Sequence, residues 1–127
     1  MNTDLELCLK HLQALVSFDT SNPPKKIQSS GLLDYLNSLS YLNPRVTDLG
    51  DGSFNILLIK GDPKYIFNVH LDTVPPGEGW STDPHTLSIT DEKAIGLGAC
   101  DIKGAAACLL TLIELGLDDY AVLFSTD

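Results

Sequence analysis

Leu5, Cys8, Leu9, Leu12, Leu15 and Val16 recur at helical intervals, so the chain is expected to open with an amphipathic helix. Thr3-Asp4-Leu5-Glu6 has capping-box spacing and marks its start. Thr20-Ser21-Asn22-Pro23-Pro24 ends it, because a residue before proline is pushed out of the α region. A second helix is expected over about residues 29–40, burying Leu32, Leu33, Leu36 and Leu39. The period then shortens. Residues 45–49 and 53–60 read as two strands joined at Asp51-Gly52. Residues 65–71 form a third, whose near-continuous apolar run predicts a place in the middle of a sheet.

A loop rich in Pro and Gly follows, and residues 87–90 and 93–97 suit a hairpin around Asp91-Glu92. An alanine- and leucine-rich helix is expected over 104–117 and a last apolar strand over 120–125. Strand, helix, strand in this order predicts an α/β fold: an open mixed sheet with flanking helices and at least one parallel pair. No internal repeat is present, which excludes a solenoid.

Charge narrows the partners. Seventeen acidic against eight basic residues give a formal net charge of −9 in 127 residues. No basic stripe is available to displace counterions, so nucleic acid is not an expected partner. Neither is a membrane, since no apolar run approaches the ~18 residues of a span. Met1-Asn2-Thr3-Asp4 lacks the basic and apolar regions of a signal peptide, and three cysteines without a Cys-x-x-Cys indicate neither a disulfide framework nor a zinc ribbon. A reducing, cytoplasmic location is the expectation.

Sites in open α/β sheets form beyond the carboxyl ends of strands. His70-Leu71-Asp72 stands at such an end, and Gly98-Ala99-Cys100-Asp101-Ile102-Lys103-Gly104 leads into a helix. On an extended strand His70 and Asp72 share one face, so Asp72 can accept a hydrogen bond from one imidazole nitrogen and leave the other for a metal. The plainer alternative is a strand that happens to end in His and Asp. Asp101 is either a metal-binding carboxylate or an N-cap for the following helix. Lys103 is a cation at the unfavourable end of that helix, a local inconsistency of the kind that marks functional sites. Cys100 reads as a small buried side chain or a soft ligand. His11 and His85 read as surface residues. A dinucleotide fingerprint is excluded because Asp101 stands where its third glycine belongs; a P-loop and a nucleophile elbow are absent.

Taken together, His70-Leu71-Asp72-Thr73-Val74-Pro75, then Trp80 and Asp83-Pro84, then Gly96 to Gly104, resemble the zinc aminoacylase and carboxypeptidase family, peptidase family M20. Ser17-Phe18-Asp19-Thr20-Ser21-Asn22-Pro23-Pro24 is similar to its first loop, and the likeness is greatest to its N-acetylornithine and N-acetylcitrulline deacetylase branch. Leu97 departs from the commoner Gly-Arg-Gly. The resemblance implies that His70 binds one zinc, that Asp101 bridges two, and that Asp72 is a catalytic residue orienting His70. Cobalt is the alternative ion. It implies hydrolysis of a small-molecule N-acyl amino acid such as N-acetylornithine.

In that family the last strand runs into a Glu-Glu pair, the general base and a further ligand, whereas this sequence stops at Asp127. Residues 1–127 are thus expected to be the N-terminal part of one catalytic domain, without the lid or dimerisation domain. The isolated chain is expected to be inactive, and to form a homo-oligomer or pair with a C-terminal part. Without downstream neighbours, the strand over 120–124 is expected to present an apolar edge. The alternatives are a non-catalytic truncated or split-gene α/β module and a single-metal binding module.

Overall fold

A computed structural model describes residues 2–23 and 27–126. Pro24 of the first loop and Asp127 lie outside the described residues. Helix α1 spans Thr3–Ser17. Its cap is Asn2, not Thr3: Asn2 Oδ1 accepts from the Asp4 amide at 2.9 Å while the Asn2 carbonyl takes the first helical bond, from Glu6. After a short turn at Ile27–Ser29, α2 occupies Leu32–Ser38. Strands β1 (Arg45–Asp48) and β2 (Phe54–Lys60) form the expected pair, and β3 is Phe67–His70. The expected hairpin is β4 (Ser88–Ile89) with β5 (Ala94–Ile95). Helix α3 is Gly104–Glu114 and β6 is Tyr120–Ser125.

The main sheet has the order β1-β2-β6-β3, with β3 parallel to β6 and the other pairs antiparallel. This is the mixed α/β sheet expected, with the strand order corrected in two places. β6 lies at the centre, so Tyr120–Phe124 is not an edge. β3 is an edge of the described sheet, and Tyr65, Ile66 and Phe67 are 79%, 59% and 52% exposed. A run of apolar residues reports hydrophobicity, not rank in the strand order; β6 has an equally apolar run and takes the middle. Thr126 continues the β6–β2 ladder with its side chain, its hydroxyl accepting from the Phe54 amide and donating to the Phe54 carbonyl, both at 2.8 Å.

α1 and α3 pack against each other and share the core with Phe54, Ile56, Leu58, Val122 and Phe124 of the sheet. His11 belongs to this packing. It is fully buried rather than on the surface, with Nε2 3.0 Å from Glu114 Oε2 and Nδ1 2.7 Å from the Tyr35 hydroxyl. One neutral tautomer satisfies both: Nε2–H donates to Glu114, and Nδ1 accepts from Tyr35. The network joins all three helices. Burial, reinforced by the charge of Glu114, pushes the Tyr35 and Tyr41 phenols up.

Candidate metal centre

His70 is the last residue of β3, in register with Ser125 of β6. The Leu71 amide still bonds to the Ser125 carbonyl at 2.7 Å; beyond it the chain leaves the sheet. The site therefore opens beyond the carboxyl ends of two parallel strands, as expected for an α/β sheet. The loop after α1 runs beside this exit: Thr20 Oγ1 donates to the Leu71 carbonyl at 2.6 Å, the Thr73 amide to Thr20 O at 3.1 Å, and the Asn22 amide to Thr73 O at 2.8 Å. The sequence placed Thr20 in the loop that ends α1 but did not show that its buried hydroxyl bonds the strand exit.

Hydrogen bonding fixes the imidazole of His70. Nδ1 is 3.0 Å from the backbone carbonyl of Asp72, which can only accept, so Nδ1 carries the proton. The Asp72 carboxylate stands close behind, Oδ1 at 3.5 Å from Nδ1, but it is the main-chain oxygen that takes the bond. The free lone pair of Nε2 then faces Asp101 Oδ1 at 3.1 Å. Two acceptors this close repel unless a proton or a metal cation lies between them. Among the described residues, Asp72 Oδ1 and Thr73 Oγ1 are in addition buried without a hydrogen-bond partner, as is Nδ1 of the half-buried His85.

Asp101 does not cap α3. Its carboxylate is 87% exposed and turned to His70, its backbone is extended (φ −128°, ψ 84°), and the Asp101–Ile102 peptide is cis. The segment Ala99–Lys103 is thus an irregular lead-in, closed by the Lys103 amide on the Gly98 carbonyl at 2.8 Å. Gly98 sits at φ +76°, and a Cβ there would lie 2.6 Å from Thr73 Cγ2, so only glycine lets this loop approach the His70 exit.

Lys103 resolves the apparent conflict with its own helix. Its side chain is buried and Nζ donates to the Leu15 and Phe18 carbonyls at 2.8 and 3.1 Å. The ammonium thus sits at the negative end of α1, where it joins the Phe18 amide on the Leu15 carbonyl and takes up the carbonyl of the cap residue Phe18. Burial pulls its pKa down to about 8, partly opposed by the carboxylate of Asp19. Asp19 is held below the usual carboxylate range by hydrogen bonds from the Ser21 hydroxyl and amide.

The cleft in front of His70 has a volume of about 360 Å³ and is lined by Asn22, Asp72, Trp80, Leu97, Cys100 and Asp101 among others. Cys100 is exposed there, not buried as expected. Leu97 is buried, its amide bonded to the Pro84 carbonyl at 2.8 Å. Among the described residues no group of three or more His, Cys, Asp or Glu side chains converges on one point. His70 and Asp101 are a two-residue pair.

Residues 66–123 match the model of peptidase family M20/M25/M40, a stretch that contains His70, Asp72 and Asp101. The chain is 51% identical over 121 residues to an N-acetyl-L-citrulline deacetylase of Xanthomonas campestris pv. campestris, across 94% of this chain and 33% of the relative. The chain belongs to the M20 family. A succinyl-diaminopimelate desuccinylase of Ruthia magnifica is 34% identical over 117 residues, 88% of this chain and 30% of the relative. The crystal structure of human carnosine dipeptidase 1 superposes with a TM-score of 0.74 at 21% identity, over 95% of this chain and 32% of that one, which establishes a shared fold. This M20 chain spans about a third of the length of these relatives.

Proposed function

We propose that the protein is a metal-dependent amidohydrolase that removes an acyl group, acetyl foremost, from an amino acid such as N-acetylcitrulline or N-acetylornithine. The observation that carries this reading is the 51% identity to an N-acetyl-L-citrulline deacetylase over nearly the whole chain. In this reading residues 1–127 are the N-terminal part of the catalytic domain. His70 would hold a metal through Nε2, Asp101 would be the carboxylate ligand shared by the two ions, and Asp72 would be the catalytic residue that orients His70.

The pair suits a cation. An imidazole nitrogen and a carboxylate oxygen 3.1 Å apart are a donor set that would hold zinc, with His70 giving Nε2 and Asp101 giving Oδ1. With Nδ1–H held by the Asp72 carbonyl, Nε2 is a lone pair available without a tautomeric change. The Asp72 carboxylate stands behind the ring, its Oδ1 3.5 Å from Nδ1 and on the side away from Nε2. Zinc, or cobalt in its place, supplies Lewis-acid polarisation of an amide carbonyl and lowers the pKa of water to about 7. The remaining ligands and the general base, a glutamate, come from outside the described residues, so the 127-residue chain alone is inactive. Trp80 and Leu97 provide apolar wall for the acyl amino acid. The location proposed is cytoplasmic; no helix among the described residues is long and apolar enough to cross a membrane.

The desuccinylase likeness favours a second reading, in which the same centre removes a succinyl group. Amine release by the full-length protein from N-acetylcitrulline, N-acetylornithine and N-succinyl-diaminopimelate, with and without a chelator, separates the two. Deacetylation is expected to exceed desuccinylation by at least about tenfold and to be lost with the chelator. Turnover of none of these, or turnover indifferent to metal, contradicts the reading.

A further inference from the structure

Two of the three cysteines meet away from the cleft. Cys8 of α1 and Cys108 of α3 lie 100 residues apart in sequence, yet their Sγ atoms are 3.7 Å apart. Both are free thiols, Cys8 half-buried and Cys108 exposed. They stand on the two helices that pack together as α1 and α3, and Cys8 packs against the core that includes Leu12, Ala107 and Leu110. At 3.7 Å the sulfurs are in van der Waals contact, and bonding requires them to close by about 1.7 Å. Burial and the neighbouring Cys8 push the Cys108 thiol up. The third cysteine, Cys100, is exposed in the cleft instead.

We propose that Cys8 and Cys108 are a reversible dithiol–disulfide pair, oxidised by a hydroperoxide to a bond joining α1 to α3. Cys108, the more exposed thiol, meets the oxidant first. The small fraction of Cys108 that is thiolate, the thiol being pushed up, attacks a peroxide oxygen; the O–O bond breaks, and a sulfenic acid forms with release of one water after proton transfer. The Cys8 thiolate then attacks that sulfur and displaces the hydroxyl as a second water. With hydrogen peroxide the balance is two thiols and one peroxide giving one disulfide and two waters. The two electrons removed from the sulfurs reduce the peroxide. A dithiol reductant reverses the bond by exchange. Closing so long a loop restricts the unfolded chain, so oxidation raises thermal stability.

The test uses full-length protein, reduced, titrated with hydrogen peroxide and blocked with N-ethylmaleimide. Trypsin cuts after Lys10 and Lys103, which puts Cys8, Cys100 and Cys108 on separate peptides. The expected product is the peptide ending at Lys10 joined to the peptide beginning at Gly104. It has lost two hydrogens, runs as a monomer on a non-reducing gel and reverts with dithiothreitol. Cys100→Ser is expected to leave it intact, and the oxidised wild type to melt at a higher temperature than the reduced. The mapping on wild-type protein does not depend on how a variant folds. Cys8 and Cys108 both alkylated after Cys100 has been oxidised would overturn the proposal. So would Cys108 driven to sulfinic acid with Cys8 still free, or a link between two chains.

Discussion

The ammonium of Lys103 donates to the carbonyl of Leu15 across 2.8 Å, tying the end of α1 to the loop that carries Asp101. With the second bond to Phe18, one side chain sets how the first helix and the lead-in to the third approach each other. Lys103→Met removes both bonds and leaves two carbonyls facing a thioether. A loss of about 1–3 kcal/mol is expected, read by urea denaturation at pH 7. An unchanged midpoint would mean that water replaces the ammonium.

The same lysine gives a pH signature. Its pKa falls from 10.5 unfolded to about 8 folded, so between these values the unfolded chain binds more protons and stability rises with pH. Neutral lysine can still donate to both carbonyls, so the contact survives deprotonation. Wild type should therefore gain on Lys103→Met between about pH 8 and 10.5, by up to about 3 kcal/mol. A stability difference that is flat across this window contradicts the burial argument.

Gly98 and Gly50 offer a matched comparison. Both have positive φ, +76° and +82°, but a Cβ at Gly50 meets nothing within 4 Å among the described residues whereas at Gly98 it meets Thr73 at 2.6 Å. Gly50→Ala should cost about 1 kcal/mol from backbone conformation alone. Gly98→Ala should cost about 1–3 kcal/mol more, because the Asp101 loop must move off Thr73. Equal costs in parallel denaturation curves would show that the loop yields freely.

Much of the site was readable because its residues are close in sequence to the backbone features that place them. His70 ends a strand, Gly98 permits the turn, and Asp101 follows within one loop, so the short motifs contain most of the geometry. The alternation around Asp51-Gly52 and the hairpin at Asp91-Glu92 were likewise local. What escaped was set by distant packing. His11 looks polar on a helical wheel, and only its partners Tyr35 and Glu114, 24 and 103 residues away, explain its burial. Lys103 looked misplaced because its carbonyl partners lie 85 and 88 residues earlier. The rank of β3 and β6 in the sheet could not be read from their equally apolar runs.

The His11 network gives its own expectation. His11→Ala removes a buried ring and leaves Tyr35 and Glu114 without their shared partner, at a cost of about 3 kcal/mol or more. His11→Gln, which keeps a donor and an acceptor, should recover part of it. A thermal midpoint for His11→Ala within a degree of wild type would show that the network does not hold the three helices together.

The central claim is that His70 and Asp101 face each other in order to share a cation. Its most direct measurement is the metal content and cobalt absorption spectrum of the full-length protein beside His70→Ala and Asp101→Asn, after dialysis against a defined zinc or cobalt buffer. Both variants are expected to fold like wild type, to lose bound metal and to lose or alter the visible cobalt bands. Full metal occupancy and an unchanged cobalt spectrum in both variants would contradict the account.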